Sequence, residues 1–91
     1  MTNETRVPDA EGTAHIYNED GELVRVEHRN GEAWHYEGGE LVRRKWPGGQ
    51  VEHYKDGWLT RIERPTGMVD YYKNGKHFRV EYPDGRVWTH G

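Results

Sequence analysis

The sequence predicts an all-β protein, an antiparallel meander of about nine short strands built from β-hairpin repeats. Three observations predict this fold. From Gly31 onward, glycine recurs at 39, 49, 57, 67, 75 and 85 in alternating steps of 8 and 10, a period of 18 residues. Turn-forming residues fall at the same places in each period. Glycine at about every ninth position would also break any helix.

The repeats divide the chain into four units and a half-unit. The units begin at Gly12, Gly31, Gly49 and Gly67, and the half-unit begins at Gly85. Each full unit contains two runs of β-compatible residues separated by turn residues. We expect residues 12–91 to form a single β-hairpin repeat domain, preceded by a flexible N-terminal segment, residues 1–11, which is polar and acidic.

Two kinds of turn join the predicted strands. The pairs Gly38-Gly39, Asp56-Gly57 and Asn74-Gly75 are typical of the two-residue type I′ turn of a β-hairpin. The other connection, exemplified by residues 64–67 (Arg-Pro-Thr-Gly), combines a proline of fixed φ with a glycine. We interpret it as a four-residue turn.

These turns predict which residues share a face, because antiparallel partners lie on the same side of a sheet. One row is mostly small or β-branched and is the predicted core: Ala14, Val26, Ala33, Arg44, Val51, Ile62, Val69, Val80 and Val87. On the opposite face, a predicted row alternates arginine with carboxylates, histidine or tryptophan: His15, Arg25, Trp34, Arg43, Glu52, Arg61, Asp70, Arg79 and Trp88. A row of Tyr36, Tyr54 and Tyr72 with intervening leucines is expected beside it.

Both predicted faces are partly apolar, which a flat single layer would not tolerate in water. We therefore expect a strongly twisted sheet that curls toward a barrel, or a homodimer that covers one face. A β-solenoid is the alternative fold. It would place equivalent arginines about 5 Å apart instead of about 10 Å, and the resulting like-charge crowding favours the meander.

Composition narrows the range of partners. The net charge is −3 with both signs interleaved, so no basic stripe indicates nucleic acid binding. The chain has no cysteine, which removes disulfides and thiolate metal sites. No apolar stretch is long enough to span a bilayer, and the first residues lack the features of a signal peptide. We expect a soluble cytoplasmic protein without membrane contacts.

No pattern of residues indicates catalysis or a cofactor. His35 and His53 occupy the same place in successive units, but in a meander their backbones lie roughly 10 Å apart, which favours structural roles over metal binding. The predicted register pairs Glu52 and Asp70 with arginines, so neither is expected to be a general acid of raised pKa. The glycines are spaced for turns and do not form a phosphate-binding loop.

The residues most typical of a binding surface are aromatic and arginine side chains, which are enriched in protein interfaces. The alternative is that they form the core or a dimer contact. The candidates are Trp34, Tyr36, Arg43, Tyr54, Arg61, Tyr72, Arg79 and Trp88.

Two stretches, residues 54–62 (Tyr-Lys-Asp-Gly-Trp-Leu-Thr-Arg-Ile) and 80–87 (Val-Glu-Tyr-Pro-Asp-Gly-Arg-Val), resemble the YD repeats of bacterial Rhs-type proteins. The chain departs from that pattern after tyrosine, where Asn18, Glu37, Lys55 and Lys73 replace the aspartate. Residues 71–76 (Tyr-Tyr-Lys-Asn-Gly-Lys) also resemble variant MORN repeats of small immunity and phage proteins. The first resemblance implies a β-sheet shell or stalk, and the second a small interaction protein.

The sequence therefore predicts a non-enzymatic protein-interaction module. It would be a small bacterial or phage-encoded inhibitor or immunity protein that blocks a larger protein target sterically. Two alternatives remain: a module that binds glycan or cell-wall polymer through stacked aromatic rings, and a structural fragment of a YD-repeat shell.

Overall fold

A computed structural model describes residues 3–90. This part of the chain forms ten β-strands and no helix, so it contains no helical membrane span. The strands are β1 (Thr5–Pro8), β2 (Ala14–Tyr17), β3 (Leu23–Glu27), β4 (Ala33–Glu37), β5 (Glu40–Lys45), β6 (Val51–Lys55), β7 (Trp58–Glu63), β8 (Val69–Lys73), β9 (Lys76–Glu81) and β10 (Val87–Thr89).

The strands form one antiparallel sheet in sequence order, so the predicted all-β meander is confirmed. The sheet stays open. Its longest dimension is 43 Å, which corresponds to nine steps of about 4.8 Å between neighbouring strands. Its radius of gyration is 15.7 Å, whereas a compact domain of this length would have about 12 Å. The barrel-like form and the β-solenoid are therefore both wrong.

The sheet begins earlier than expected. Thr5–Pro8, inside the segment predicted to precede the repeat domain, forms β1 and pairs with β2. The sequence contains a signal for this strand, because Arg6-Val7 matches Arg25-Val26 and Arg79-Val80 in later units. We interpret β1 as the equivalent of the second strand of a unit.

The predicted type I′ turns are confirmed by their backbone angles. Both central residues of such a turn need positive φ. The φ values are 58° and 84° at Gly38 and Gly39, 53° and 84° at Asp56 and Gly57, and 52° and 81° at Asn74 and Gly75. Asparagine and aspartate are the non-glycine residues that tolerate this region best, which explains their use in two of the three turns.

The four-residue turn was a wrong prediction, because this connection is a three-residue loop. Gly49 N donates to Trp46 O at 3.0 Å, and Trp46 N donates to Gln50 O at 2.9 Å. Residues 47–49 thus form the loop, and Gly49 has a φ of 100°. This is the combination of a turn and a positive-φ residue that three-residue hairpin loops use.

Each type I′ hairpin also contains a β-bulge that the sequence did not reveal. In the hairpin of β6 and β7, Tyr54 pairs with Leu59 while His53 pairs with Arg61, so Thr60 is an extra residue on β7. The other type I′ hairpins shift register at the same point. Relative to the predicted turns, each unit with such a hairpin has one residue fewer in its proline-containing loop and one residue more in its second strand. The two changes cancel in length, so the period of 18 residues is unchanged.

The changed register redistributes the predicted rows. Trp34 pairs with Val26 and Arg44, and His35 pairs with Arg25 and Arg43. Side chains alternate between faces along a strand. The predicted core row therefore divides between the faces, with Val26, Arg44, Ile62 and Val80 on one and Ala14, Ala33, Val51, Val69 and Val87 on the other.

The hydrophobic core is small, because residues 3–90 supply no second layer to cover the sheet. The buried apolar side chains are Ala14, Ile16, Val26, Ile62 and Val80. Twist and cross-strand pairs must provide the remaining packing. The pairs Tyr36 with Leu41 and Tyr54 with Leu59, which the sequence predicted, are present.

The three-residue loops stack along one edge of the sheet, with the proline near the end of a unit against the glycine that begins the same unit. The contact is Pro83 against Gly67, Pro65 against Gly49 and Pro47 against Gly31. A Cβ built on Gly67 would lie 3.1 Å from Pro83 Cβ.

Replacing Gly67 by alanine should lower the free energy of unfolding by about 2 kcal/mol, because left-handed backbone costs an L residue about 1–2 kcal/mol before any contact is counted. Urea denaturation measures the loss. Gly85→Ala is the control, since Gly85 has a φ of 94° but no neighbour within 4 Å of the new Cβ. Equal losses in the two variants would show that the proline contact has no effect.

Candidate protein-interaction surface

The corrected register places the predicted binding residues on two different faces. The arginine face is defined by Arg25, His35, Arg43, His53, Arg61, Tyr71 and Arg79. The aromatic face is defined by Trp34, Tyr36, Arg44, Tyr54, Ile62, Tyr72 and Trp88. The single surface expected from the sequence, in which Trp34 lay beside Arg43, is therefore wrong.

Along the arginine face, three of the four arginines pair with a glutamate two residues later on the same strand. Arg25 Nε lies 2.8 Å from Glu27 Oε2, and Arg79 Nη2 lies 2.7 Å from Glu81 Oε2. Arg61 is more distant, with its Nη2 3.8 Å from Glu63 Oε1. Residues two apart on a strand share a face, so the period of the strand itself produces these pairs.

Their glutamates are held in the charged form. Hydrogen bonds from Arg6 and Arg25 lower the pKa of Glu27. Hydrogen bonds from Tyr71 and Arg79 lower the pKa of Glu81. These pairs are partly exposed to solvent, so they fix the orientation of the side chains more than they stabilise the fold.

The second unit breaks this pattern, because Lys45 stands where the other units have glutamate. Among residues 3–90, no ion pair includes Arg43 or Lys45. Burial first, then the positive charges of Arg43, Lys45 and Arg25, lower the pKa of His35. This part of the arginine face is therefore locally positive.

His35 and His53 lie on either side of Arg43 in the sheet and do not contact each other. His53 instead contacts the carboxylate of Glu63 and lies 3.3 Å from Arg61 Nη2. Nowhere in residues 3–90 do three His, Cys, Asp or Glu side chains gather in a metal-binding arrangement. His53 is therefore paired with a carboxylate, whereas His35 lies near the positive charges of Arg43 and Lys45.

The aromatic face contains a cluster centred on Arg44. The guanidinium carbon of Arg44 lies 4.5 Å from the centre of the Trp34 ring and 4.6 Å from the centre of the Trp46 ring. Glu32 Oε1 is 3.5 Å from Arg44 Nη2 and accepts a hydrogen bond from Trp34 Nε1 at 3.2 Å. The ring of His28 packs against Trp34 at 4.7 Å. Cation–π contact with both rings holds the arginine in one orientation.

Arg44 and Trp46 were missed as candidate binding residues, although the sequence contains a signal for both. At the position of Arg44 the other units have Val26, Ile62 and Val80, so one charged residue interrupts a column of buried aliphatic residues. In a repeat array, positions that match among units build the scaffold. A unit whose residues differ from those of the other units is therefore the candidate for a specific function.

A second cluster lies at the other end of the aromatic face. Asp70 is 5 % exposed and accepts hydrogen bonds from Arg64 Nε at 2.6 Å and His77 Nε2 at 3.0 Å. His77 stacks on Trp88, with ring centres 5.8 Å apart, and contacts Tyr72. Six strand steps, about 29 Å, separate this end from Trp34. Trp34 and Trp88 therefore belong to separate patches.

The surface beside Arg43 forms an open groove of 420 Å³. Its walls include Glu37, Glu40, Val42, Arg43 and His53. Toward the hairpin tips the groove is lined by three carboxylates, Glu37, Glu40 and Asp56, and by Lys55.

Comparison with known proteins assigns the chain to no family. No protein-family model matches the chain, and no curated protein matches it.

Proposed function

We propose that the protein is a non-enzymatic protein-interaction module, and that its second unit provides the contact residues by which it blocks a larger protein target. The observation that supports this proposal best is the placement of Arg44 between Trp34 and Trp46. Tryptophan and arginine dominate the residues that contribute most to protein binding.

The cluster has the properties of a binding hot spot. Arg44 is held by two rings and by Glu32, so little side-chain entropy remains to be lost when a partner binds. Its side chain is 28 % exposed, so the cluster is accessible to a partner from solvent. Trp34 and Arg44 lie on the strands β4 and β5, and Trp46 directly follows β5. Sites on regular strands hold their geometry better than sites on loops.

The substitution Arg44→Val separates binding from folding. Valine occupies this position in the first and fourth units. We expect the free energy of unfolding to stay within about 1 kcal/mol of the wild type. Partner affinity should fall by about 30-fold or more, because loss of a hot-spot residue costs at least about 2 kcal/mol of binding. Urea denaturation and calorimetric titration with the captured partner measure the two effects.

Affinity capture from an extract of the organism that encodes the chain tests the proposed function. We expect a stoichiometric protein partner that is lost with Trp34→Ala and retained with Trp58→Ala. Trp58 is a matched control, because it is 55 % exposed but belongs to the third unit, outside the proposed contact residues. Failure of the folded wild type to capture any protein, or binding to a glycan array instead, would contradict the proposal.

A further inference from the structure

The arginine face shows which chemical group its arginines bind. In three units the group is a glutamate carboxylate of the same strand, at Glu27, Glu63 and Glu81. The planar guanidinium matches a carboxylate with two parallel hydrogen bonds. Three units therefore show, within the protein itself, the ligand chemistry of this position.

In the second unit the position of the glutamate is taken by Lys45. Its cross-strand neighbours are Ala33 and Val51, neither of which offers an acceptor in its side chain. Lys45 is exposed, and Arg43 is half-buried. Two positive charges thus face the same side of β5, where the other units place one positive and one negative charge.

From this arrangement we infer that Arg43 and Lys45 bind an aspartate or glutamate side chain of the protein partner, an inference that rests on the proposed function. The partner carboxylate replaces the glutamate that the second unit lacks. Lys45 supplies a second positive charge. This charge attracts a carboxylate of the partner, whereas the glutamate of the other units pairs with the arginine of its own strand.

The surrounding charges favour a single carboxylate over a polyanion. Three carboxylates, of Glu37, Glu40 and Asp56, line the groove beside Arg43, together with one lysine, Lys55. Glu27 and Glu63 flank it on the neighbouring units and remain charged, since hydrogen bonds lower the pKa of both. The whole chain carries a net charge of −3. A nucleic acid strand would meet these carboxylates along its length, whereas one acidic side chain can reach Arg43 and Lys45 without meeting them.

A peptide titration tests this inference without the natural partner. The probe is a peptide with blocked ends in which glutamate alternates with threonine, compared with the same peptide containing glutamine, at low salt because screening weakens exposed pairs. NMR should show shifts of the Arg43 and His35 side-chain signals with the glutamate peptide alone. A bound carboxylate should also raise the pKa of His35.

Three variants locate the site. Lys45→Glu gives the second unit the residue that the other units have, so the fold should persist while peptide affinity falls about tenfold or more. Lys73→Glu makes the same charge change at an exposed site on β8 and should alter affinity by less than about twofold. Glu81→Lys should create a second binding site at Arg79, far from Arg43.

Several results would overturn the inference: equal weakening by Lys45→Glu and Lys73→Glu, equal binding of the two peptides, or tighter binding of an oligothymidine strand to the same signals. Its failure is distinguishable from failure of the proposed function. A partner that is captured through Trp34 but unaffected by Lys45→Glu would refute the carboxylate site alone.

Discussion

Replacing Ile62 by alanine is expected to lower the free energy of unfolding by about 2–4 kcal/mol, because the substitution removes buried carbons and leaves a cavity. Ile62 is 7 % exposed and is one of three buried aliphatic side chains on the aromatic face, with Val26 and Val80. Its cross-strand neighbours on the aromatic face are Glu52 and Asp70, whose polar groups would gain access to the space left by the missing carbons. Small domains have little stability in reserve.

Val87→Ala is the control for this prediction. Val87 is 50 % exposed on the edge strand β10, so its loss should cost less than about 0.5 kcal/mol. Urea denaturation followed by circular dichroism measures both variants. A loss at Ile62 no larger than that at Val87 would mean that the aromatic face has no core at this point.

The second large effect is expected at Asp70. Asp70→Asn should destabilise the protein by about 2 kcal/mol at pH 7, because Arg64 and His77 lose the charged acceptor that they share. Arg64 is partly exposed and can be hydrated, which keeps the loss below that of a fully buried pair. Glu52→Gln is the matched control, since Glu52 occupies the same row and accepts a hydrogen bond from the hydroxyl of Tyr54, but within residues 3–90 it pairs with no arginine or histidine.

The pH dependence of this effect has a defined sign. Burial alone would raise the pKa of Asp70, but hydrogen bonds from Arg64 and His77 outweigh it, so the pKa lies below the ordinary value of 3.8. The stabilisation is therefore complete above the unfolded pKa and is lost as pH falls through the folded pKa. The difference between wild type and Asp70→Asn should shrink below about pH 4. A difference that stays constant down to pH 2 would contradict the ion pair.

Local features of the fold followed from residue types. Glycine spacing and the pairs Asp56-Gly57 and Asn74-Gly75 predicted the hairpins, because few residues tolerate positive φ. Alternating patterns predicted the strands and the pairing of tyrosine with leucine within hairpins. Arg6-Val7 would have predicted β1 as well, had it been compared with the later units.

The register could not be predicted in the same way. A loop such as residues 64–67 has the composition of either a three-residue or a four-residue connection, since proline and glycine suit both. The bulge residues Val42, Thr60 and Phe78 differ in type and carry no common signal. Each change alone would have moved every side chain of the next strand to the other face.

The candidate site was consequently predicted in part. Trp34 and Arg43 were identified as binding residues but were placed on one face, whereas they lie on opposite faces of the second unit. Arg44 was assigned to the core because its neighbours in the column are aliphatic. Comparing units for their differences, instead of their similarities, would have identified Arg44 and Lys45.

The separation of the two faces depends on the register, and cross-strand nuclear Overhauser effects measure the register directly. The indole protons of Trp34 should show contacts to the methyl groups of Val26 and to the side chain of Arg44, its partners in the sheet. Contacts between the methyl groups of Ala33 and Val26 and between Ala33 and Arg44, with none from Trp34, would contradict the structure and both binding proposals.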